Sequence, residues 1–286
     1  PETGLWNEVP SLEVQKLICT LDGARAYKGA DKNGRPKFKR VNIGKRLIES
    51  IEGTLHTILK IPGAEMNPMP GMSFNNGFVQ VDKEKGVTLL PFAREQRAIS
   101  KIDYDFDFEP KTPKMDKFMD EVFVGSDAEA KKQFMWEFMG CSLAGLCPTM
   151  QKAVIGIGEG ANGKSVFVDI WKGLMPEGRT TSIPPQKMGQ EYAMAYMSNS
   201  LLNVVNETPS SEIAHSEAVK AVITGDKVPA RFIRQGVFEF VPIAAQAFFC
   251  NDLPAFKDLS GGFARRWIIV AFTRIFEEQE QVKGLA

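Results

Sequence analysis

The sequence predicts an α/β protein: a phosphate-loop core on a central, mostly parallel sheet, preceded by a smaller, mainly helical domain with a short β-hairpin. Three observations lead there. The apolar run Ala153 to Ile157 passes through the glycine-rich turn Gly158-Glu159-Gly160-Ala161-Asn162-Gly163-Lys164-Ser165 into the apolar segment Val166-Phe167-Val168. Downstream, the largely apolar runs Leu201 to Val205 and Ala247 to Cys250 are each followed by a polar amide, Asn206 and Asn251. Upstream, apolar residues recur at helical spacing, and one pair of short strand-like runs flanks a polar turn. The expected boundaries are 1–112 for the mainly helical region and 113–286 for the core domain, with a helical lead-in over 113–150 and the phosphate-loop core over 151–273.

Composition narrows the class. The 286 residues, 43% of them hydrophobic, are enough for two separate cores. The 35 basic and 35 acidic residues cancel, so any nucleic-acid binding has to come from local patches. Cys19, Cys141, Cys147 and Cys250 contain no close pair, and His56 and His215 are the two histidines, which argues against a zinc site and for reduced thiols in a cytoplasm. No apolar run approaches ~18 residues and no signal peptide is recognisable, so no membrane partner is expected. The chain opens Pro1-Glu2-Thr3-Gly4 without a methionine, which suggests processing or excision from something longer.

In chain order, Val14, Leu17, Ile18 and Leu21 predict a first helix, and Ile43, Leu47, Ile48 and Ile51 a second. The connection between them carries eight Lys or Arg and one acid from Lys28 to Arg46, around an Asn33-Gly34 turn. It reads as a phosphate-contacting loop or as a plain solvated one, and the second is preferred. Residues 62–77 form an irregular connector, and 77–82 with 86–90 a hairpin. Asp103-Tyr104-Asp105-Phe106-Asp107-Phe108 alternates acid with aromatic, as a two-metal polymerase or primase site would. An amphipathic edge strand gives the same pattern and is preferred, because Pro110 and Pro113 follow and no basic or histidine cluster accompanies it. The helical stripes Phe118, Met119, Val122, Phe123 and Phe134, Met135, Phe138, Met139 belong to the core.

In the glycine-rich turn, Gly158, Gly160 and Gly163 free successive N–H groups to face phosphates. Lys164 would lie against the β- and γ-phosphates, Ser165 would ligate Mg²⁺, and the helix starting there adds its positive end. Glu207, closing Leu201 to Asn206, is the expected water-orienting carboxylate. Asn206 stands where many nucleotide hydrolases have an Asp, so the Mg²⁺ shell leans on Ser165, phosphates, water and Glu207. A helix is expected over 211–224. Lys227, Arg231 and Arg234 follow in a stretch that Gly225, Pro229 and Gly236 keep from being a plain helix. Asn251 is placed to hydrogen-bond a γ-phosphate or attacking water, and Arg265 or Arg266 suits a finger on transition-state charge.

The order of these pieces, namely Gly158 to Ser165, Val205-Asn206-Glu207, Ile223 to Lys227 with Ala230-Arg231, Phe248 to Asn251 and Gly262 to Trp267, resembles superfamily 3 helicases of poxvirus and phage or plasmid primase–helicases. The resemblance covers roughly residues 75–273. It implies an AAA+-like ATPase that uses ATP and Mg²⁺, forms a hexameric ring and moves on single-stranded DNA. It further implies that Lys164, Glu207 and Asn251 act in one subunit, that Arg265 or Arg266 acts on the neighbour's ATP, and that Lys227, Arg231 and Arg234 grip DNA near the pore. A primase or polymerase, linked or separate, would be a partner. The rival readings are an ATP-dependent DNA-binding or loading module that does not unwind, and a primase-polymerase resting on Asp103, Asp105 and Asp107.

Overall fold

Near-continuous apolar runs, on strands buried on both faces, dictate the centre of the molecule. In the computed structural model, which describes residues 4–6, 9–59, 66, 69–213, 215–258 and 260–281, the chain divides into two compact units, Trp6–Met66 and Pro1–Leu5 with Asn67–Ala286. The opening Pro1 to Thr3, and residues 62–65, 67 and 68 of the expected connector, lie outside the described residues.

The small unit contains helix α1 (Ser11–Cys19), strands β1 (Arg25–Ala30) and β2 (Pro36–Arg40), and helix α2 (Lys45–Leu59). Ser11 Oγ donates to Glu52, and Gln15 Nε2 donates to the same carboxylate at 3.1 Å, which ties α1 to α2. These two bonds, Ser11 first, hold the Glu52 carboxyl below its ordinary pKa. The stretch expected as a polar connection is an antiparallel hairpin, with Tyr27 opposite Phe38 and Arg25 opposite Arg40. Gly34 takes the turn at φ +78°, and Asp31 Oδ1 accepts from the Asn33 and Arg35 N–H groups at 2.8 Å. An Asx-type turn therefore organises residues whose side chains show no apolar alternation.

The larger unit begins with an antiparallel sheet of β3 (Gly71–Phe74), β4 (Gly77–Asp82) and β5 (Gly86–Leu90). β4 and β5 are the expected hairpin; β3 comes from the expected connector. Before residue 113, the two α-helices are thus accompanied by five strands among the described residues, a mixed rather than mainly helical region. The segment 103–108 forms no strand. Phe106 packs between Phe74 and Phe108, with ring centroids at 5.3 and 4.9 Å, and the Asn76 amide bonds its backbone N–H and carbonyl at 2.9 Å each. Asp103, Asp105 and Asp107 therefore share no strand face.

Helices α3 (Pro113–Val122), α4 (Ala128–Leu143) and α5 (Cys147–Met150) lead into β6 (Ala153–Ile157) and α6 (Lys164–Leu174). Next come β7 (Thr180–Thr181), α7 (Glu191–Ala195), β8 (Leu202–Val205), α8 (Ser216–Thr224), β9 (Val228–Ala230), β10 (Phe238–Phe240), β11 (Ala245–Cys250), α9 (Gly261–Ala264) and β12 (Trp267–Ala271). Five strands form a parallel sheet in the order β12-β6-β11-β8-β7. Helix α8 starts at Ser216 rather than at 211, because Ile213 is drawn into a bridge with Phe256.

The sheet is buried on both faces. Val154, Leu202, Val204, Ala247 and Phe249 face one cluster with Phe123, Phe138, Phe167 and Trp171; Ile155, Val205 and Phe248 face another with Met194, Met197, Val219 and Val222. Buried Asn203 is fully used: its Oδ1 accepts from Ile183 N at 2.7 Å, and its Nδ2 donates to Ile183 O and Gln246 Oε1 at 2.9 Å. Gly156 admits no side chain, since a Cβ there would stand 2.4 Å from Phe249 Cδ1. Gly156→Ala is expected to cost about 1–3 kcal/mol through overpacking, read as a lower urea midpoint; an unchanged midpoint would mean that the Phe249 ring yields freely.

Candidate functional site

In a parallel sheet the carboxyl ends of all strands open on one edge, where ligands of open α/β folds bind. Here β6, β8 and β11 end side by side, and the residues that follow them line an open cleft of about 700 Å³. Its walls include residues 160–166 after β6, Asn206, Glu207, Thr208 and Ser210 after β8, and Cys250, Asn251 and Asp252 at the end of β11. Of the residues singled out from the sequence, this edge brings together Gly160, Ala161, Asn162, Gly163, Lys164, Ser165, Glu207 and Asn251. Gly158 and Glu159 precede the lining.

The loop's glycines do different jobs. Gly160 and Gly163 have φ +116° and +83°, and a Cβ on Gly163 would also meet Val122 Cγ2 at 2.8 Å. Gly158 is needed for closeness instead: a Cβ would lie 2.3 Å from Asn162 Nδ2 and 2.5 Å from Phe272 O. Ala161 adopts φ +46° without being a glycine. Among the described residues, the N–H groups of Gly160, Ala161, Asn162 and Gly163 find no acceptor. Four adjacent free donors at the start of α6 suit an anion.

Lys164 is buried, at 7% exposure. Its Nζ donates to Gly158 O, to Asn162 Oδ1 at 3.2 Å and to Asn251 Oδ1 at 3.4 Å, joining the loop to the end of β11. Burial lowers its pKa, and Cys250 acts in the opposite sense. The Cys250 thiol is pushed up by burial, against the pull of Lys164. Ser165 and Glu207 are exposed on the cleft walls. Asn206 Oδ1 and Thr208 Oγ1 are buried without a hydrogen-bond partner, two orphaned polar atoms beside the cleft.

The sequence reading missed part of this wall. Thr208, Ser210 and Asp252 follow strand ends already singled out and are one to three residues from Glu207 or Asn251. Phe276, Glu280 and Gln281 come from a segment past the last strand, where the sequence carries no motif. Phe276 N donates to Ala161 O at 2.7 Å, while Arg274 stacks on the Phe276 ring at 4.4 Å and pairs with Glu280 at 2.9 Å. Phe118, assigned wholly to the core, also reaches the cleft. Among the described residues no group of three or more His, Cys, Asp or Glu is arranged to hold a metal by itself.

The remaining cations lie elsewhere. Arg265 and Arg266 precede β12, whose first residue Trp267 pairs with Ala153 at the start of β6. They stand at the amino edge, one five-residue strand from the glycine-rich loop, or roughly 16 Å at ~3.3 Å per residue. Arg266 Nη1 donates to Gly262 O, its Nε is buried without a partner, and Lys152 Nζ donates to Arg265 O at 2.5 Å.

Lys227, Arg231 and Arg234 belong to an antiparallel hairpin in which β9 pairs with β10. Lys227 precedes β9 and Arg234, at φ +64°, lies in the connecting loop. Arg231 is tethered: its Nη2 donates to Tyr192 Oη at 2.7 Å, its guanidinium lies 4.8 Å from that ring, and Glu191 is 3.7 Å away. The loop also exposes aromatic and aliphatic surface, since Phe232 stacks on Phe238 at 5.7 Å and Ile233 is 74% exposed.

A family of unknown function, DUF5906, matches residues 156–266, which contain this edge and the hairpin. No curated protein sequence matches the chain. Two solved structures of the NrS-1 C-terminal region share the fold. One aligns with TM-score 0.54 and 15% identity over 96% of this chain and 65% of its own; another aligns with TM-score 0.51 and 16% identity over 97% and 65%. The chain thus spans just under two thirds of those structures. At such identity the likeness is one of fold: a mixed α/β architecture around a parallel five-stranded sheet. Among the described residues no helix is long and apolar enough to cross a membrane.

Proposed function

We propose that this chain is an ATP-driven DNA helicase of the superfamily 3 kind, with residues 113–286 as its motor domain, working in phage, viral or plasmid replication. The observation that carries the reading is the convergence of Lys164, Ser165, Glu207 and Asn251 on one cleft at the carboxyl edge of the sheet. ATP with Mg²⁺ is the group that fits. The free N–H groups of residues 160–163 and the Lys164 ammonium would receive phosphates, and the orphaned Asn206 Oδ1 and Thr208 Oγ1 supply polar partners in the same wall. Ser165, Glu207 and Asp252 would hold Mg²⁺ together with phosphate and water, since the described residues offer no complete metal cage. When bound, the nucleotide supplies the phosphoryl bond whose cleavage drives the motor.

The chain's own residues do the rest. Glu207 orients the attacking water, Asn251 reports the γ-phosphate, and the Lys164 bond to Asn251 couples the two strand ends. Arg265 and Arg266 serve the neighbouring subunit, and Lys227, Arg231 and Arg234 grip the DNA backbone. Six repeats of a few cations are enough for a neutral chain to hold a polyanion. A linked or separate primase or polymerase is the expected partner, in a cytoplasm.

The test is ATP hydrolysis against protein concentration, with and without single-stranded DNA. Turnover per subunit is expected to rise steeply with concentration and to increase with DNA, and labelled duplexes are expected to be separated. Turnover flat in both would mean a self-contained hydrolase. DNA-stimulated turnover without strand separation would point to a loading module instead.

A further inference from the structure

The neutral chain hides a charge division. The small unit, residues 6–66, carries eleven Lys or Arg against seven Asp or Glu, and the imbalance is concentrated in the β1–β2 hairpin. Residues 25–40 hold seven cations, Arg25, Lys28, Lys32, Arg35, Lys37, Lys39 and Arg40, and the single acid Asp31, whose carboxylate is engaged in the turn. Among the described residues none of the seven has an ion-pair partner.

The pairing register sorts the side chains. Arg25 and Arg40 are cross-strand partners, and so are Tyr27 and Phe38, so all four share one face. The two rings stand edge to face at 6.2 Å and are 65% and 58% exposed. Lys37 and Lys39 fall on the other face, and every residue of β2 is exposed. Two features of this face are unfavourable in water alone: like charges directly opposite one another, and two uncovered aromatic rings beside them. A two-stranded hairpin with no covered face is also marginal by itself. One kind of ligand relieves all three, an anionic chain with stackable rings.

We propose that the β1–β2 hairpin binds single-stranded nucleic acid. Tyr27 and Phe38 offer stacking platforms for unpaired bases, and Arg25 and Arg40, the next pair on the same face, hold the adjoining phosphates, without regard to sequence. A duplex keeps its bases stacked and gives the rings nothing to take. An anionic membrane would call for large aliphatic residues to insert, and between these cations stand only the two aromatics with glycine, alanine, aspartate, asparagine and proline. This deepens the nucleic-acid part of the function proposed above by giving the strand a grip apart from Lys227, Arg231 and Arg234, and it does not depend on ATP hydrolysis.

The experiment measures anisotropy of fluorescein-labelled oligothymidylate with the whole chain, without nucleotide, across a range of salt concentrations. Tyr27→Ala with Phe38→Ala is expected to weaken binding about 10–100-fold, while Tyr27→Phe with Phe38→Tyr keeps it. Arg25→Gln with Arg40→Gln removes a like-charge pair and leaves packing untouched, and is expected to reduce the slope of log K against log salt by about 1.4 in magnitude. ATP hydrolysis measured without DNA should be unchanged in all three variants. If the wild type binds oligothymidylate and the variants weaken as stated but no ATP is hydrolysed, the motor reading fails and the hairpin assignment stands. Wild-type affinity and salt slope in both the alanine and glutamine variants overturn the assignment. Equal loss on a blunt duplex of the same length overturns its single-strand character.

Discussion

Lys164→Ala is expected to lower ATP hydrolysis by at least about a hundredfold, the usual loss when one preorganised charge facing the reacting phosphates is removed. The side chain has two duties that the variant separates. Towards the proposed nucleotide, the ammonium would meet charge that builds up on the leaving phosphates. Within the chain, it bridges Gly158 O, Asn162 Oδ1 and Asn251 Oδ1 from a buried position. Deleting it leaves three acceptors short of a donor, so the loop and the end of β11 lose their connection as well. Binding of a fluorescent ATP analogue, measured beside turnover, tells the duties apart: loss of turnover with binding retained assigns the ammonium to catalysis, whereas loss of both assigns it to holding the loop. Wild-type turnover would remove Lys164 from the site and with it the phosphate reading of the loop.

How far this site could be read from the sequence depends on where the information lay. Lys164, Glu207 and Asn251 were legible because each follows a buried strand in which nearly every residue is apolar, and parallel strands end together. The alternation that assigns Phe248 and Phe249 to opposite faces of the sheet was equally local. Thr208 and Asp252 were one step beyond the residues that drew attention. Phe276 and Glu280 reach the loop through tertiary folding, by the Phe276 bond to Ala161 O, which no periodicity announces. The β1–β2 hairpin was hidden by its own chemistry, since strands exposed on both faces show no apolar alternation, and only the Asp31-Lys32-Asn33-Gly34 turn hinted at pairing. Arg231 looked like a free cation in the sequence, yet the fold gives it to Tyr192 and Glu191. That leaves Lys227 and Arg234 as the less encumbered cations of the β9–β10 hairpin.

Two inactive variants are expected to restore activity when mixed. Arg265 and Arg266 stand at the amino edge of the sheet, a strand's length from Lys164, so in one subunit they have no route to the phosphates bound by their own loop. If they act at all on hydrolysis, they act on another copy's nucleotide. Arg265→Ala with Arg266→Ala should therefore bind ATP normally and lose turnover about 10³-fold or more, the scale of an arginine finger supplied in trans. Lys164→Ala should fail for the opposite reason, with fingers intact and the loop disabled. In the proposed ring, assembled at random from equal amounts of the two variants, a subunit carrying the intact loop would meet a neighbour carrying intact arginines at about a quarter of the interfaces, and hydrolysis should return towards that fraction of the wild-type rate. Single variants decide which arginine is responsible, and the orphaned Nε of Arg266, already committed through Nη1 to Gly262 O, makes Arg265 the freer of the two. A mixture as inactive as its components would remove both arginines from the active site of a neighbour. Wild-type turnover in the double arginine variant alone would show that neither side chain touches the chemistry, and the remaining case for a shared site would then rest on the concentration dependence of hydrolysis.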